Sequence, residues 1–139
     1  TLKFFSYSLP FDNLPSFLEE FEFINCGNDK LIFHNLPQSI KKLYLHCNIE
    51  SIIWTSNLEF IKCCSDNYYI NLNTLPDSVK TMYIYECHIN SNNPINKLPK
   101  NLEELYISNS ISENDKTSII ELANQLEQQE GRYIRKRYI

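Results

Sequence analysis

Five cysteines and three histidines are the side chains of this sequence best equipped for chemistry. Thiolates and imidazoles can hold zinc, or can pair as a nucleophile and its base. Cys26, Cys47, Cys63, Cys64 and Cys87 contain no Cys-x-x-Cys pair, and His34, His46 and His88 lack zinc-ligand spacing. No metal or other cofactor is therefore expected. An odd number of thiols without a pairing pattern points to reduced, buried cysteines in a cytoplasmic protein. The two glycines, Gly27 and Gly131, are scattered, which excludes a glycine-rich phosphate cradle.

The elements that would position these residues come from an internal repeat, which has to be recognised first. Leu98-Pro99 leads, through two polar residues, to Leu102, Leu105 and Ile107. The same order recurs where Leu14-Pro15 leads to Leu18, Phe21 and Phe23, Leu36-Pro37 to Ile40, Leu43 and Leu45, and Leu75-Pro76 to Val79, Met82 and Ile84. Two further triplets lack the Leu-Pro lead: Leu58, Ile61 and Cys63 follow Trp54-Thr55, and Leu2, Phe5 and Tyr7 open the chain. The last two apolar positions of each triplet alternate, which is the period of a strand. A strand this short cannot bury its own apolar side, so it must stack on neighbours. The pattern predicts an α/β solenoid with one parallel strand per repeat and an irregular return side. Short turns, extended stretches or single 3₁₀ turns are expected on that side. Cys26, Asn48, Asp66, Cys87 and Ser110 stand where the chain turns off the sheet, a place suited to side chains that satisfy or shield turn amides.

Residues 1–111 are read as the solenoid, of about six repeats with the first truncated, and 112–139 as a C-terminal helical cap and basic tail. Ile119, Leu122, Ala123 and Leu126 fall at helical spacing, with Ser112 or Asn114 as N-cap and Gly131 as stop. A helix covering the exposed apolar end of the last repeat suits a solenoid; docking on a partner is the alternative. All three arginines, Arg132, Arg135 and Arg137, sit in the tail. It reads as a solvated end or short final strand, or as a basic contact for an acidic partner, RNA or lipid headgroups.

Stacking in register converts sequence columns into surface columns. The second column, Lys3, Glu19, Lys41, Glu59, Lys80 and Glu103, alternates in sign and predicts a self-satisfied charge ladder worth little per exposed pair. The columns facing away from the core collect Lys42, Tyr44, His46, Phe60, Lys62, Tyr83, Tyr85 and Tyr106. Tyrosine offers contact area, a polar tip and little entropy to lose, so this set is the candidate partner-binding face. Cross-strand packing of β-favouring aromatics is the plainer explanation. His46 and Cys64 share a column, but neither an orienting group nor an oxyanion hole accompanies them, so an enzyme is not expected.

A net charge of −4 speaks against a general nucleic-acid binder. No uncharged apolar run approaches the roughly 20 residues of a membrane span. Abundant Asn, Ile, Lys and Tyr with scarce Ala and Gly is the bias of an AT-rich genome.

The Leu-Pro-x-x-aliphatic-x-x-apolar-x-aliphatic pattern resembles the leucine-rich repeat family, from Leu2 to Ser110. More narrowly, Asn93-Pro94-Ile95 followed by Leu98-Pro99 is similar to the FNIP-type repeats of amoebae and giant viruses. That resemblance implies a horseshoe whose concave sheet face binds another protein without catalysis. Self-association or scaffolding through the helix and tail is the alternative. Some proteins of this kind join their repeats to an F-box; the opening on Thr1 rather than Met leaves room for one upstream, which would make the repeats a substrate-recruiting part of a ubiquitin ligase adaptor.

Overall fold

Each Leu-Pro step folds into a tight turn that feeds a strand. The amides of Leu18, Ile40, Val79 and Leu102 donate to the carbonyls of Pro15, Pro37, Pro76 and Pro99 at 3.1–3.2 Å. Leu58 donates to Thr55 in the same way at 3.3 Å, so Trp54-Thr55 makes this turn without proline. Where proline is present its fixed φ preorganises the entry, and its missing N–H costs nothing at a turn.

The structure, a computed structural model, describes residues 1–5, 14–24, 30–63, 71–85 and 94–139. In chain order its elements are β1 (Leu2–Phe5), β2 (Glu20–Ile24), β3 (Lys30–Phe33), β4 (Lys42–His46), β5 (Asn48–Ile52), β6 (Phe60–Cys63), a 3₁₀ turn (Leu72–Thr74), β7 (Thr81–Ile84), β8 (Glu104–Ile107), α1 (Glu113–Glu130) and β9 (Arg135–Tyr138). The main sheet has seven strands in the order β1-β2-β4-β6-β7-β8-β9, every neighbouring pair parallel. On the return side β3 and β5 pair as a second, two-stranded parallel sheet. The described residues thus form a parallel-strand β-solenoid with a single C-terminal helix. The return side is more regular than expected where β3 meets β5, and a single 3₁₀ turn where Asn71 caps Leu72–Thr74.

The core lies between these layers. Phe21, Phe23, Leu43, Leu45, Ile61, Cys63, Met82, Ile84, Leu105 and Ile107 point inward and are at most 1% exposed. Ile40, Leu58, Val79 and Leu102 wedge in from the turns, and Phe33, Ile49 and Leu72 close the far side. Polar ties run from repeat to repeat at the turns. Gln38 Oε1 accepts from the Ser56 amide at 3.2 Å, and Asp77 Oδ1 accepts from the Lys100 amide at 3.1 Å. Ser39 and Ser78 donate to the Leu18 and Leu58 carbonyls at 2.8 and 2.7 Å.

Two expectations are corrected. Leu2 pairs with Phe21 and Phe4 with Phe23, so β1 is shifted by three residues from the register read off Leu2, Phe5 and Tyr7. The alternation Leu2-Lys3-Phe4 already satisfies the strand period, and without a Leu-Pro turn nothing spaces the first apolar residue from the second. The expected positions of Tyr7, Ser6 and Ser8 lie outside the described residues, as do Cys26, Cys64, Asp66 and Cys87. The second correction concerns the C-terminus. The helix does not end the stack; it is the crossover between β8 and β9, the arrangement parallel neighbours require.

The helix begins at Ser112, whose hydroxyl accepts from the Asp115 amide at 3.2 Å, and stops at Gly131 in the left-handed conformation (φ 65°). Ile119 and Ala123 are buried against the core, with Ile120, Leu122 and Leu126 packed beside them. Most of the basic tail is held internally, through Arg132, Arg135 and Lys136. Arg132 donates to the Leu102 carbonyl at 2.5 Å and to the Lys100 carbonyl. Ile134 is fully buried, and its amide donates to Glu127 Oε1 at 2.7 Å; Lys136 Nζ lies 2.7 Å from the same oxygen.

The Lys136 ammonium, then the Ile134 amide, hold the Glu127 carboxyl below its usual value of 4.5. A carboxyl depressed in the folded state stabilises it above the unfolded pKa, and that contribution fades as pH falls through the folded one. Glu127→Gln should therefore cost about 1 kcal/mol at neutral pH, and Glu127→Ala about 2 kcal/mol. In urea melts across pH, the gap between Glu127→Gln and the parent should narrow below pH 4.5 and close in stronger acid.

Candidate functional site

The residues facing away from the core have their places fixed by backbone hydrogen bonding. The carbonyls of Glu19, Lys41, Glu59 and Lys80 each accept two successive amides from the next repeat, at 2.7–3.1 Å. Glu103 accepts from Arg135 at 2.8 Å. This brings like positions of successive repeats side by side, about 4.8 Å apart. One outward column reads Glu20, Lys42, Phe60, Thr81, Glu104 and Arg135. The next holds Lys3, Glu22, Tyr44 and Lys62 on β1 to β6, and Tyr83, Tyr106 and Arg137 on β7 to β9.

Four aromatic rings form a continuous ladder across these columns. Ring centroids are 4.8 Å apart for Tyr44–Phe60, 5.6 Å for Phe60–Tyr83 and 4.2 Å for Tyr83–Tyr106. The last pair is parallel to within 3°, so those rings meet face to face along the sheet and turn their edges to solvent. Lys62 Nζ sits 5.1 Å from the Tyr83 ring centre, and Arg137 Cζ 5.9 Å from that of Tyr106, both within cation–π range. All four rings are half-buried. Burial raises the Tyr44 and Tyr83 hydroxyl pKa values; Glu20 and Glu22 reinforce the shift at Tyr44, and Tyr106 and Glu104 reinforce it at Tyr83.

The expected face is assembled with additions. Lys42 is exposed on β4, and His46 ends that strand half-buried. The His46 ring lies 3.9 Å from Glu22 Oε1; burial lowers its pKa, opposed by Glu22 and assisted by Lys62 and Lys3. Tyr85 lies just past the end of β7, half-buried. Cys64, the proposed neighbour of His46, is outside the described residues. Arg135 and Arg137 join the face with β9: Arg135 pairs with Glu104 at 2.5 Å, and the Tyr106 hydroxyl donates to Glu104 at 3.3 Å. Their outward alternation around Ile134 and Lys136 was a usable signal, hidden because Lys136 occupies an inward place where an apolar residue is the norm.

The charge ladder is also revised. Lys3 leaves the second column with the shift of β1 and pairs instead with Glu22 at 2.5 Å. Four of the five remaining charges form separate pairs, Glu19–Lys41 at 2.8 Å and Glu59–Lys80 at 3.4 Å, and Glu103 joins neither. In the shorter pair the Lys41 hydrogen bond lowers the Glu19 pKa, and Glu19 raises that of Lys41.

Cys47 and Cys63 are buried, and burial pushes the Cys47 thiol up to about 12, far from a reactive thiolate. Among the described residues no group of three His, Cys, Asp or Glu side chains could hold a metal ion, and no helix is long and apolar enough to cross a membrane. In comparisons with known proteins, no family model, curated sequence or solved structure matches the chain.

The stacked pair makes a spectroscopic prediction. In an NMR titration of tyrosine ring carbons, Tyr83 should ionise above the usual tyrosine range. Tyr106→Phe should bring Tyr83 part of the way back, because the Tyr106 hydroxyl is removed while burial persists. Tyr44, three strands from Tyr106, should titrate unchanged by that substitution.

Proposed function

We propose that this chain is a leucine-rich repeat module that binds another protein, without catalysis, through the concave face of its main sheet. The observation that supports this most is the aromatic ladder from Tyr44 to Tyr106, half-buried on a face where no core demands apolar residues. Large, stiff side chains with polar tips lose little entropy on contact, and such residues dominate binding energy at protein interfaces. Lys42, Lys62, His46 and Tyr85 flank the ladder as a polar rim. The recurring Leu-Pro turns and one parallel strand per repeat support the family reading. The buried Cys47 thiol, outside any disulfide, fits a reducing, cytoplasmic setting. Joined to an F-box upstream, the same face would recruit substrates for ubiquitin transfer.

Scaffolding through the basic tail is the weaker reading, because Arg132, Arg135 and Lys136 already hold internal acceptors.

Affinity capture with the full chain, quantified by mass spectrometry, tests the face. Tyr83→Ala combined with Tyr106→Ala should reduce recovery of the captured protein at least about tenfold, the scale of one or two interface hot spots. Tyr133→Ala, on the helix side and 75% exposed, should leave recovery unchanged. Equal recovery with all variants, each shown to be folded by circular dichroism, would sink the proposed face.

A further inference from the structure

The cations of the open face divide into two groups. Lys3, Lys41, Lys80 and Arg135 each rest on a carboxylate. Lys42, Lys62 and Arg137 make no ion pair among the described residues. Lys62 and Arg137 lie over ring faces, and Lys42 is exposed near Tyr44 on β4. Of the acids nearby, Glu22 holds Lys3 and Glu104 holds Arg135, whereas Glu20, across from Lys42 on β2, accepts from the neutral Thr1 hydroxyl and keeps its charge. The three unpaired cations therefore bracket the aromatic ladder. Between them the stacked rings present edges, which carry the positive side of the ring quadrupole. Around Lys62 and Arg137 the strip favours negative charge even though the chain is net acidic, and at Lys42 the Glu20 carboxylate offsets part of that preference.

Spacing narrows the ligand. From β4 to β9 there are four strand intervals, a span of about 19 Å. An extended peptide laid across the strands, at about 3.3 Å per residue, needs about seven residues to reach from Lys42 to Arg137. Single-stranded nucleic acid would want free ring faces on which to stack its bases. Here the faces of Tyr83 and Tyr106 are taken by each other and by Lys62 and Arg137.

Resting on the protein-binding reading above, we infer that the strip from Lys42 and Lys62 to Arg137 docks an extended, acidic peptide segment of about seven residues, its carboxylates meeting the cations at the two ends and its middle lying on the ring edges. Ion pairs formed there are partly desolvated by the rings, so they discriminate against neutral and basic segments.

A random heptapeptide display library selected on the full chain tests this directly. Selected peptides should be enriched in Asp and Glu. They should bind at least about tenfold more weakly to a chain carrying Lys42→Gln, Lys62→Gln and Arg137→Gln, and less strongly at high salt. A chain carrying Lys41→Gln, Lys80→Gln and Lys3→Gln undergoes the same change in net charge but should keep nearly full affinity. Selected peptides that depend on Tyr83 and Tyr106 but show no acidic bias would overturn this inference and leave the interaction module standing. Failure to select any peptide sensitive to Tyr83→Ala with Tyr106→Ala would count against both. Tighter binding of an oligouridylate than of any selected peptide would overturn the inference in favour of nucleic acid.

Discussion

Everything on the outside of this protein is positioned by a backbone bond on the inside of its repeat. The carbonyl of each second-column residue, from Glu19 to Lys80, accepts two amides of the following repeat. A four- or five-residue strand has no stability alone, since its ordering entropy exceeds what so few residues can bury. Pairing with a parallel neighbour on each side satisfies its backbone and seals its inward residues together. Because the amides of two consecutive residues are held at one carbonyl, slippage is penalised, and a one-residue slip would turn Phe21 and Phe23 outward. The column structure of the surface is a consequence of that locked register.

Once the register is locked, side chains in a column have only each other and solvent for company. Like charges stacked at such spacing repel, and the second column answers with Glu19–Lys41 and Glu59–Lys80 pairs. Exposed pairs of this kind contribute little to stability; their effect is to oppose shifted pairings. At the sheet's last edge, β9 presents Arg135 and Arg137 outward from the same columns. A second copy stacked by its first strand would place Lys3 beside Arg137. Charges of one sign on an edge strand are a recognised guard against unwanted sheet extension.

The inward half of this design is legible in the sequence because it follows from a periodic burial requirement. The triplets from Leu18 to Ile107, the turns at Pro15, Pro37, Pro76 and Pro99, and the helix between Ser112 and Gly131 are each written in residue types with one strong preference. The shift of β1 was not legible, because Leu2, Phe4 and Phe5 offer two apolar phases and no turn to choose between them. For β9 the sequence left a short final strand beside a solvated end, because its inward place at Lys136 is apolar in every other strand of the main sheet, and the Glu127 carboxylate on the neighbouring helix is what makes a cation acceptable there. That is a tertiary fact no local pattern can encode. For the same reason the composition of the aromatic face could be read, whereas its ring geometry could not. Which columns hold Tyr44, Phe60, Tyr83 and Tyr106 follows from counting; whether rings show faces or edges depends on rotamers set by neighbours.

That last distinction decides how the open face should be understood. Aromatic rings on a sheet can stabilise the fold by cross-strand contact, at about 0.5–1.5 kcal/mol per pair, or can serve as contact surface for a ligand. The two uses compete when both draw on ring faces, as in base or sugar stacking. They do not compete when the fold uses faces and the ligand uses edges and hydroxyls. Tyr83 and Tyr106 stack on each other's faces, parallel to within 3° and spaced at 4.2 Å, a geometry compatible with the second arrangement. Mutual stacking holds each ring in one orientation, which would remove part of the entropic cost of any binding there. The same stacking that lends the sheet its cross-strand cohesion therefore leaves the face preorganised, with Lys62 and Arg137 held against the rings and their charge still available.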